Sequence, residues 1–195
     1  MTSAIEKSSP ADQPSAGLVA RTQAVEAPRA GGVFHVQCVD KDGNVKWEED
    51  MHNLVVNTGL QEMNKQFFTG SNYTAALYLG LITGPGAGNT YAAADTLASH
   101  AGWTEFSNYS GSRKLVTFGT ATLADPSVIG NSASPSSFSI SSSGGVVAGA
   151  FLTNVDSGTT GILFSEANFQ SPGDRTVVSG DTLNAVSYTH LTLPT

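Results

Sequence analysis

The stretch Val33-Phe34-His35-Val36-Gln37-Cys38-Val39-Asp40-Lys41-Asp42-Gly43-Asn44-Val45-Lys46-Trp47 decides the fold class. Apolar Phe34, Val36 and Cys38 alternate with polar His35 and Gln37, the period-two pattern of a strand with one buried face. Asp40-Lys41-Asp42-Gly43-Asn44 then reads as a turn, because Asp-Gly supplies the positive φ that a tight hairpin needs. Val45-Lys46-Trp47 starts the return strand. The reading is a β-hairpin at the front of an antiparallel domain.

Working outward, the punctuation repeats. Leu54-Val55-Val56 is a short apolar run, followed by a helix start at Asn57 or Thr58. Thr58 with Gln61 fits a capping box, and Leu60, Met63 and Phe67 fall on one helical face. Gly70 is the expected stop. Short strands are predicted over 75–82, 115–120, 136–140, 146–153, 162–169 and 176–185. Turn clusters separate them at Asp125-Pro126, 141–145, 156–158 and Pro172-Gly173-Asp174. Gly84, Pro85, Gly86 and Gly88 mark a long flexible loop after the 75–82 strand. The pattern predicts a mainly β fold: an antiparallel β-sandwich or jelly-roll-like domain over 32–185, with one short helix and no internal repeat.

The two ends read differently from the middle. Residues 1–31 are rich in Ser, Ala, Pro, Gln and Glu, with no aromatic residue before Phe34. Such a segment buries too little apolar surface to offset its ordering entropy, so a disordered N-terminal arm is expected. It has no basic start followed by an apolar stretch, as a secretory signal would. At the other end, Val186-Ser187-Tyr188-Thr189-His190-Leu191-Thr192-Leu193-Pro194-Thr195 resembles, at all ten positions, the conceptual translation of a transposon adapter used in DNA library preparation. The resemblance implies a non-native tail over 186–195, set apart from the native fold.

Composition bounds the chemistry. The chain has 195 residues, a formal charge of -7, 13% charged residues and a single cysteine, Cys38. One cysteine excludes an internal disulfide framework. The excess of carboxylates argues against a nucleic-acid partner, whose phosphates need basic side chains. No apolar run approaches membrane-spanning length, so no membrane partner is expected. Asp40-x-Asp42-x-Asn44 opens like a calcium loop, but Val45 and Met51 stand where that loop needs Gly and Glu. The glycines of 84–88 lack the lysine of a phosphate-binding loop. His35, His52 and His100 share no metal-ligand spacing, and His35 and Cys38 fall on opposite faces of their strand. Glu48-Glu49-Asp50 reads as a solvated acidic edge. An enzyme would need two carboxylates converging in a cleft, for example Glu105 with Glu166. No catalytic residue, cofactor or metal site is therefore assigned. Trp103, Phe106 and Tyr109 lie among loop formers over 101–112. They either fold back as core or form a contact surface, where such side chains are effective anchors.

Two stretches carry a family resemblance. One is Asp40-Lys41-Asp42-Gly43-Asn44-Val45-Lys46-Trp47-Glu48 leading to His52-Asn53-Leu54-Val55-Val56-Asn57-Thr58-Gly59-Leu60. The other is Tyr73-Thr74-Ala75-Ala76-Leu77-Tyr78-Leu79-Gly80-Leu81-Ile82, continuing through Asp95-Thr96-Leu97-Ala98-Ser99-His100-Ala101-Gly102-Trp103-Thr104-Glu105. Over about 33–185 the chain resembles virion-associated proteins of tailed bacteriophages, of the head-decoration or tail-accessory kind. The resemblance implies a non-enzymatic virion protein that is made in the bacterial cytoplasm. It also implies capsid or tail subunits as partners, self-association into a homo-oligomer, and no catalytic residues to carry over. A head decoration protein is the first expectation. A tail fibre or baseplate module binding a host-surface glycan or receptor is the second.

Overall fold

The computed structural model describes residues 29–69, 76–124, 126–141, 143–169 and 173–192. In chain order the elements are β1 (Arg29–Val39), β2 (Val45–Val55), α1 (Asn57–Thr69), β3 (Tyr78–Thr83), β4 (Glu105–Phe106), β5 (Lys114–Leu115), β6 (Ser127–Gly130), β7 (Ser136–Ser139), β8 (Gly145–Thr153), β9 (Leu163–Asn168), β10 (Arg175–Val177) and β11 (Thr182–Thr192). The fold is mainly antiparallel β with a single helix among the described residues. The expected arm up to Pro28, the Gly70 helix stop, Asp125, Pro172 and the last three residues lie outside the described residues.

The opening hairpin forms as the sequence dictates. Phe34, Val36 and Cys38 are fully buried, and the residues between them are half-exposed. In the turn, the Asp40 carboxylate accepts the Asp42 amide at 2.8 Å and the Asn44 amide at 2.9 Å. Gly43 takes φ +86°, which a side chain would resist. The return strand runs farther than its first three residues suggest. Its amides pair with β1 up to Asn53, and Leu54 and Val55 then pair with β9. The Leu54–Val55 run is thus the far end of β2.

That change of partner ties the strands into one hydrogen-bonded path, β4-β3-β8-β9-β2-β1-β11-β6, with β5, β7 and β10 paired alongside. The sandwich or jelly-roll expectation holds in its mainly antiparallel β character, while the strands form one connected sheet. Both halves of the path feed one core. Phe34, Val36, Cys38, Leu183 and Ala185 come from β1 and β11, and Leu79, Leu81, Ala150 and Leu152 from β3 and β8. The opposite face of β3 and β8 buries a second cluster that includes Ile82, Phe151, Leu97 and Trp103. Residues 84–104 cover that face.

Several boundaries differ from the sequence reading. β1 begins at Arg29, so residues 29–31 belong to the sheet rather than to the arm. The strand predicted over 176–185 is two strands, β10 and β11. The break between them is a turn with Gly180 at φ +90°. There the Asp181 carboxylate accepts the Val178 amide at 2.9 Å and meets Lys46 at 2.5 Å. β11 continues through residues 186–192, pairing with β1 as far as Arg29↔Thr192, and Ser187 is fully buried. The segment set apart as a tail is therefore a sheet strand up to Thr192. The 115–120 strand shrinks to the two residues of β5, and β6 was missed.

The helix docks on its predicted face only in part, through Met63. Leu60 is 40% exposed, whereas Gly59 sits against β9, where a Cβ would lie 2.3 Å from the Phe164 carbonyl. Thr58 does not close a capping box; its hydroxyl donates to the Leu163 carbonyl at 2.6 Å. The docked side therefore includes Gly59 and Met63, with Glu62 between helix and sheet.

Gly80 shows how closely β3 and β8 approach. It stands opposite Phe151, and a Cβ there would meet the ring at 2.3 Å. The ring cannot yield, because Trp103 packs on it at 4.9 Å and the Arg113 guanidinium lies 5.1 Å from its centroid. Gly80→Ala is expected to destabilise the fold by about 2 kcal/mol through overpacking. Adding Phe151→Leu should recover part of that loss, as read by urea denaturation of both variants.

Candidate functional site

The structure places the three aromatic candidates in the core. Trp103, Phe106 and Tyr109 are 5%, 3% and 7% exposed, so they are not a contact surface. The physical reason is pairing with other rings. Tyr109 meets Phe138 edge-on at 4.9 Å, Phe106 stacks near Tyr109, and His100 stacks on Trp103 at 3.8 Å. Loop placement in sequence does not prevent burial when the loop covers a sheet face.

The covering loop is held at several points. The Gly84 amide donates to the Val146 carbonyl at 2.8 Å, and the Gly86 amide to the Asp174 carboxylate at 2.7 Å. The Tyr91 hydroxyl donates to Asn168 Oδ1 at 3.1 Å, and Leu97 is buried. The glycine-rich segment is thus a pinned cover, contrary to the flexible excursion its composition suggests.

Beneath the cover lies the most unusual titratable group. Glu166 sits on β9 between β8 and β2, opposite Phe151 and Leu54, and is fully buried. Its Oε2 accepts the Trp103 indole N–H at 2.7 Å, and Oε1 has no hydrogen-bond partner. Burial pushes its carboxyl up to about 8; the indole hydrogen bond opposes this, and the neighbouring Asp95 carboxylate adds to it. A neutral acid fits this position, since a bare carboxylate there would lack compensation. A carboxylate inside the strand predicted over 162–169 was the sequence signal for it.

Glu105 does not join it. On the path β4-β3-β8-β9 the two carboxylates are three strand spacings apart, about 14 Å. Glu105 instead receives both arms of the Arg113 guanidinium, at 2.9 and 2.7 Å. Arg113 is itself buried and also reaches the Val155 carbonyl at 3.3 Å. This bidentate pair locks the chain after the cover.

The acidic run divides between two faces. Glu48 and Asp50 are exposed, with Asp50 2.7 Å from His35 and Glu48 3.3 Å from Gln37. Glu49 turns to the other side and pairs with Arg175, whose guanidinium lies over Trp47. Only part of the run is therefore a solvated edge. Burial pushes the Cys38 thiol up to about 11, which keeps it protonated and a poor ligand. Among the described residues no group of three or more His, Cys, Asp or Glu side chains could hold a metal ion.

The open feature is apolar. Two adjoining hollows, of about 230 and 300 Å3, share Met63, Leu77 and Phe164. The larger continues past Phe118 and Ile129 to Leu191. It lies where helix α1 and the ends of β6 and β11 leave the main core open. No functional residue in this groove was singled out from sequence, because its lining comes from six separated stretches of chain.

Comparison with protein-family models, with curated protein sequences and with solved structures finds no match.

The Glu166 geometry fixes a sign for pH dependence. The native carboxyl titrates near 8 and the unfolded one near 4.5, so the native state holds the extra proton between them. Stability is therefore highest below about 4.5 with respect to this group and falls as pH rises through 8. The loss approaches roughly 5 kcal/mol at the alkaline end. Glu166→Gln keeps an acceptor for Trp103 and is expected to flatten the melting temperature between pH 5 and 8. A wild-type profile already flat there would contradict the neutral-acid assignment.

Proposed function

We propose that the chain is a non-enzymatic structural protein of a tailed-bacteriophage virion, a head decoration protein that contacts neighbouring capsid subunits. The observation that carries the reading beyond the family resemblance is the outward hairpin of residues 116–130. It ends in β6, a terminal strand of the sheet path, and holds Leu123 fully in solvent. Thr122 ties the hairpin together, its side chain accepting the Val128 amide at 2.8 Å and its amide donating to the Val128 carbonyl at 2.9 Å. An outward hairpin with an exposed apolar tip suits repeated contact with another chain. Closed assemblies reuse one such patch on every copy.

The buried interior fits the same role. The Lys46–Asp181 ion pair, the Arg113 bond to the Val155 carbonyl and the Trp103–Glu166 hydrogen bond each join segments distant in sequence, and such pairs stiffen a body. No helix among the described residues is long and apolar enough to cross a membrane. The tail fibre or baseplate reading rested on Trp103, Phe106 and Tyr109 as a surface that binds a glycan or receptor. With those rings in the core it keeps no residue of its own.

Mass spectrometry of purified particles, followed by electron microscopy, tests the proposal. Copies in fixed ratio to the capsid subunit, placed on the head exterior, are expected. Absence from the particles overturns it, and a location on the tail overturns the decoration assignment. Leu123→Asp should leave the melting temperature within about 0.5 kcal/mol-equivalent of wild type while lowering particle occupancy.

A further inference from the structure

Strand β2 has a second edge that the fold leaves open. Along a strand, alternate residues point their N–H and C=O groups to the same side. Leu54 pairs with Glu166, and the Val56 amide donates to the Phe164 carbonyl, so both face β9. By the same alternation His52, Asp50 and Glu48 face that side too. β9 does not follow them. After Glu166 it stays with β8, pairing Ala167 with Ala150 and Asn168 with Gly149, and the Phe169 amide donates to the Ala148 carbonyl at 2.7 Å. Among the described residues no strand other than β1 and β9 pairs with β2. Glu48, Asp50 and His52 are all exposed, while Met51 beside them is fully buried. The open edge from Glu48 to His52 is about 17 Å long. A register shift opposite Cys38 and Val39 ends the regular run on the near side.

We propose that this edge takes up an extended segment of a partner protein as an added strand, and that the segment carries lysine or arginine at alternate positions. Backbone geometry sets the extended form. The N–H and C=O groups of Glu48, Asp50 and His52 stand at strand spacing, which another strand matches and a helix does not. Charge sets the sequence. The cations near the edge are engaged: Lys41 with Asp42, Lys46 with Asp181 and Arg175 with Glu49. On the outer face Glu48 meets the neutral Gln37 amide, and Asp50 meets the His35 imidazole. Glu48 and Asp50 lie about 7 Å apart along the strand, so they fit two basic side chains at i and i+2 of a facing strand. The same two acids, in a chain of formal charge -7, select against a second copy, whose edge carries like charge. The contact does not involve the hairpin 116–130 and stands apart from the virion reading.

A short peptide tests it on the full, isotope-labelled chain. The probe is acetyl-Val-Lys-Val-Lys-Val-amide, titrated at low salt and followed by amide chemical shift. The Glu48, Asp50 and His52 amides are expected to shift together, while the Leu123 amide stays in place. The same peptide with glutamate for both lysines should bind about tenfold more weakly. Methylating the backbone nitrogens of the two lysines keeps the charge but blocks the ladder, and should abolish the shifts. Glu48→Lys/Asp50→Lys changes two exposed side chains and should turn the preference to the glutamate peptide. Amides of residues 48–52 that do not move overturn the proposal. Equal shifts with the methylated peptide overturn it too, because they mean contact by charge without strand pairing. A double variant that still prefers the lysine peptide overturns the choice of a basic partner. A protein that already dimerises through these amides puts a second copy on the edge, and overturns it as well. Particles that lack the protein would defeat the virion reading and leave this result standing.

Discussion

Strand β2 changes partner, and the rest of the fold depends on that change. Up to Asn53 it pairs with β1; at Leu54 and Val55 it pairs with β9, and the Val56 amide then donates to the Phe164 carbonyl at 3.1 Å. A strand of ordinary length satisfies one neighbour on each side along its whole run. This one spans eleven residues and joins two groups of strands that would otherwise each expose an apolar face. The core from β1, β11, β3 and β8 exists because those groups are held together through it. Apolar burial of this extent is the dominant favourable term, and hydrogen bonding at the junction directs where it occurs.

The outer face of the β3–β8–β9 group poses a different problem, which the segment 84–104 solves. It brings Leu97 and Trp103 over Phe151 and in doing so closes Glu166 off from water. A carboxyl group here is a poor choice for stability at neutral pH, and the Trp103 indole N–H donates to its Oε2. The arrangement couples cover, aromatic stack and protonation state. Arg113 performs the neighbouring task, tying Glu105, the Val155 carbonyl and the Phe151 ring into one buried cluster. Together these contacts explain why aromatic residues in a stretch rich in loop formers are core residues.

Local pattern made some of this legible before any coordinates. The hairpin was readable because Asp40 and Gly43 determine their own turn and Phe34, Val36 and Cys38 alternate cleanly. The helix was readable from its start and period, but its docked face only in part: Met63 lies on it and Leu60 does not. Gly59 packs because Phe164 approaches it, a tertiary fact that no helical period contains. The strand pair β10–β11 was fused because Val178–Asp181 turns through Gly180 without a proline. Of the two readings open for Trp103, Phe106 and Tyr109, core holds and contact surface does not, for a related reason: burial of a loop is decided by the sheet face beneath it. The groove, and the Trp103 partner of Glu166, were not legible for the same cause, since each gathers residues from distant segments. The connected sheet, likewise, needs the Leu54↔Glu166 pairing, which alternation alone does not specify.

A body of this kind, with one connected sheet, a pinned cover and an outward hairpin, is suited to being held in a larger structure. Its rigidity rests on the two strand groups behaving as one cooperative unit. Native-state hydrogen exchange of the Val56 amide tests that directly, because its partner Phe164 lies across the junction. If the halves are one unit, Val56 exchanges only by global opening, within about 1 kcal/mol of the slowest amides of β1 and β11. If Val56 and the amides of β9 exchange at a much lower free energy while β1 and β11 stay protected, the sheet is two units and the central role of β2 is contradicted.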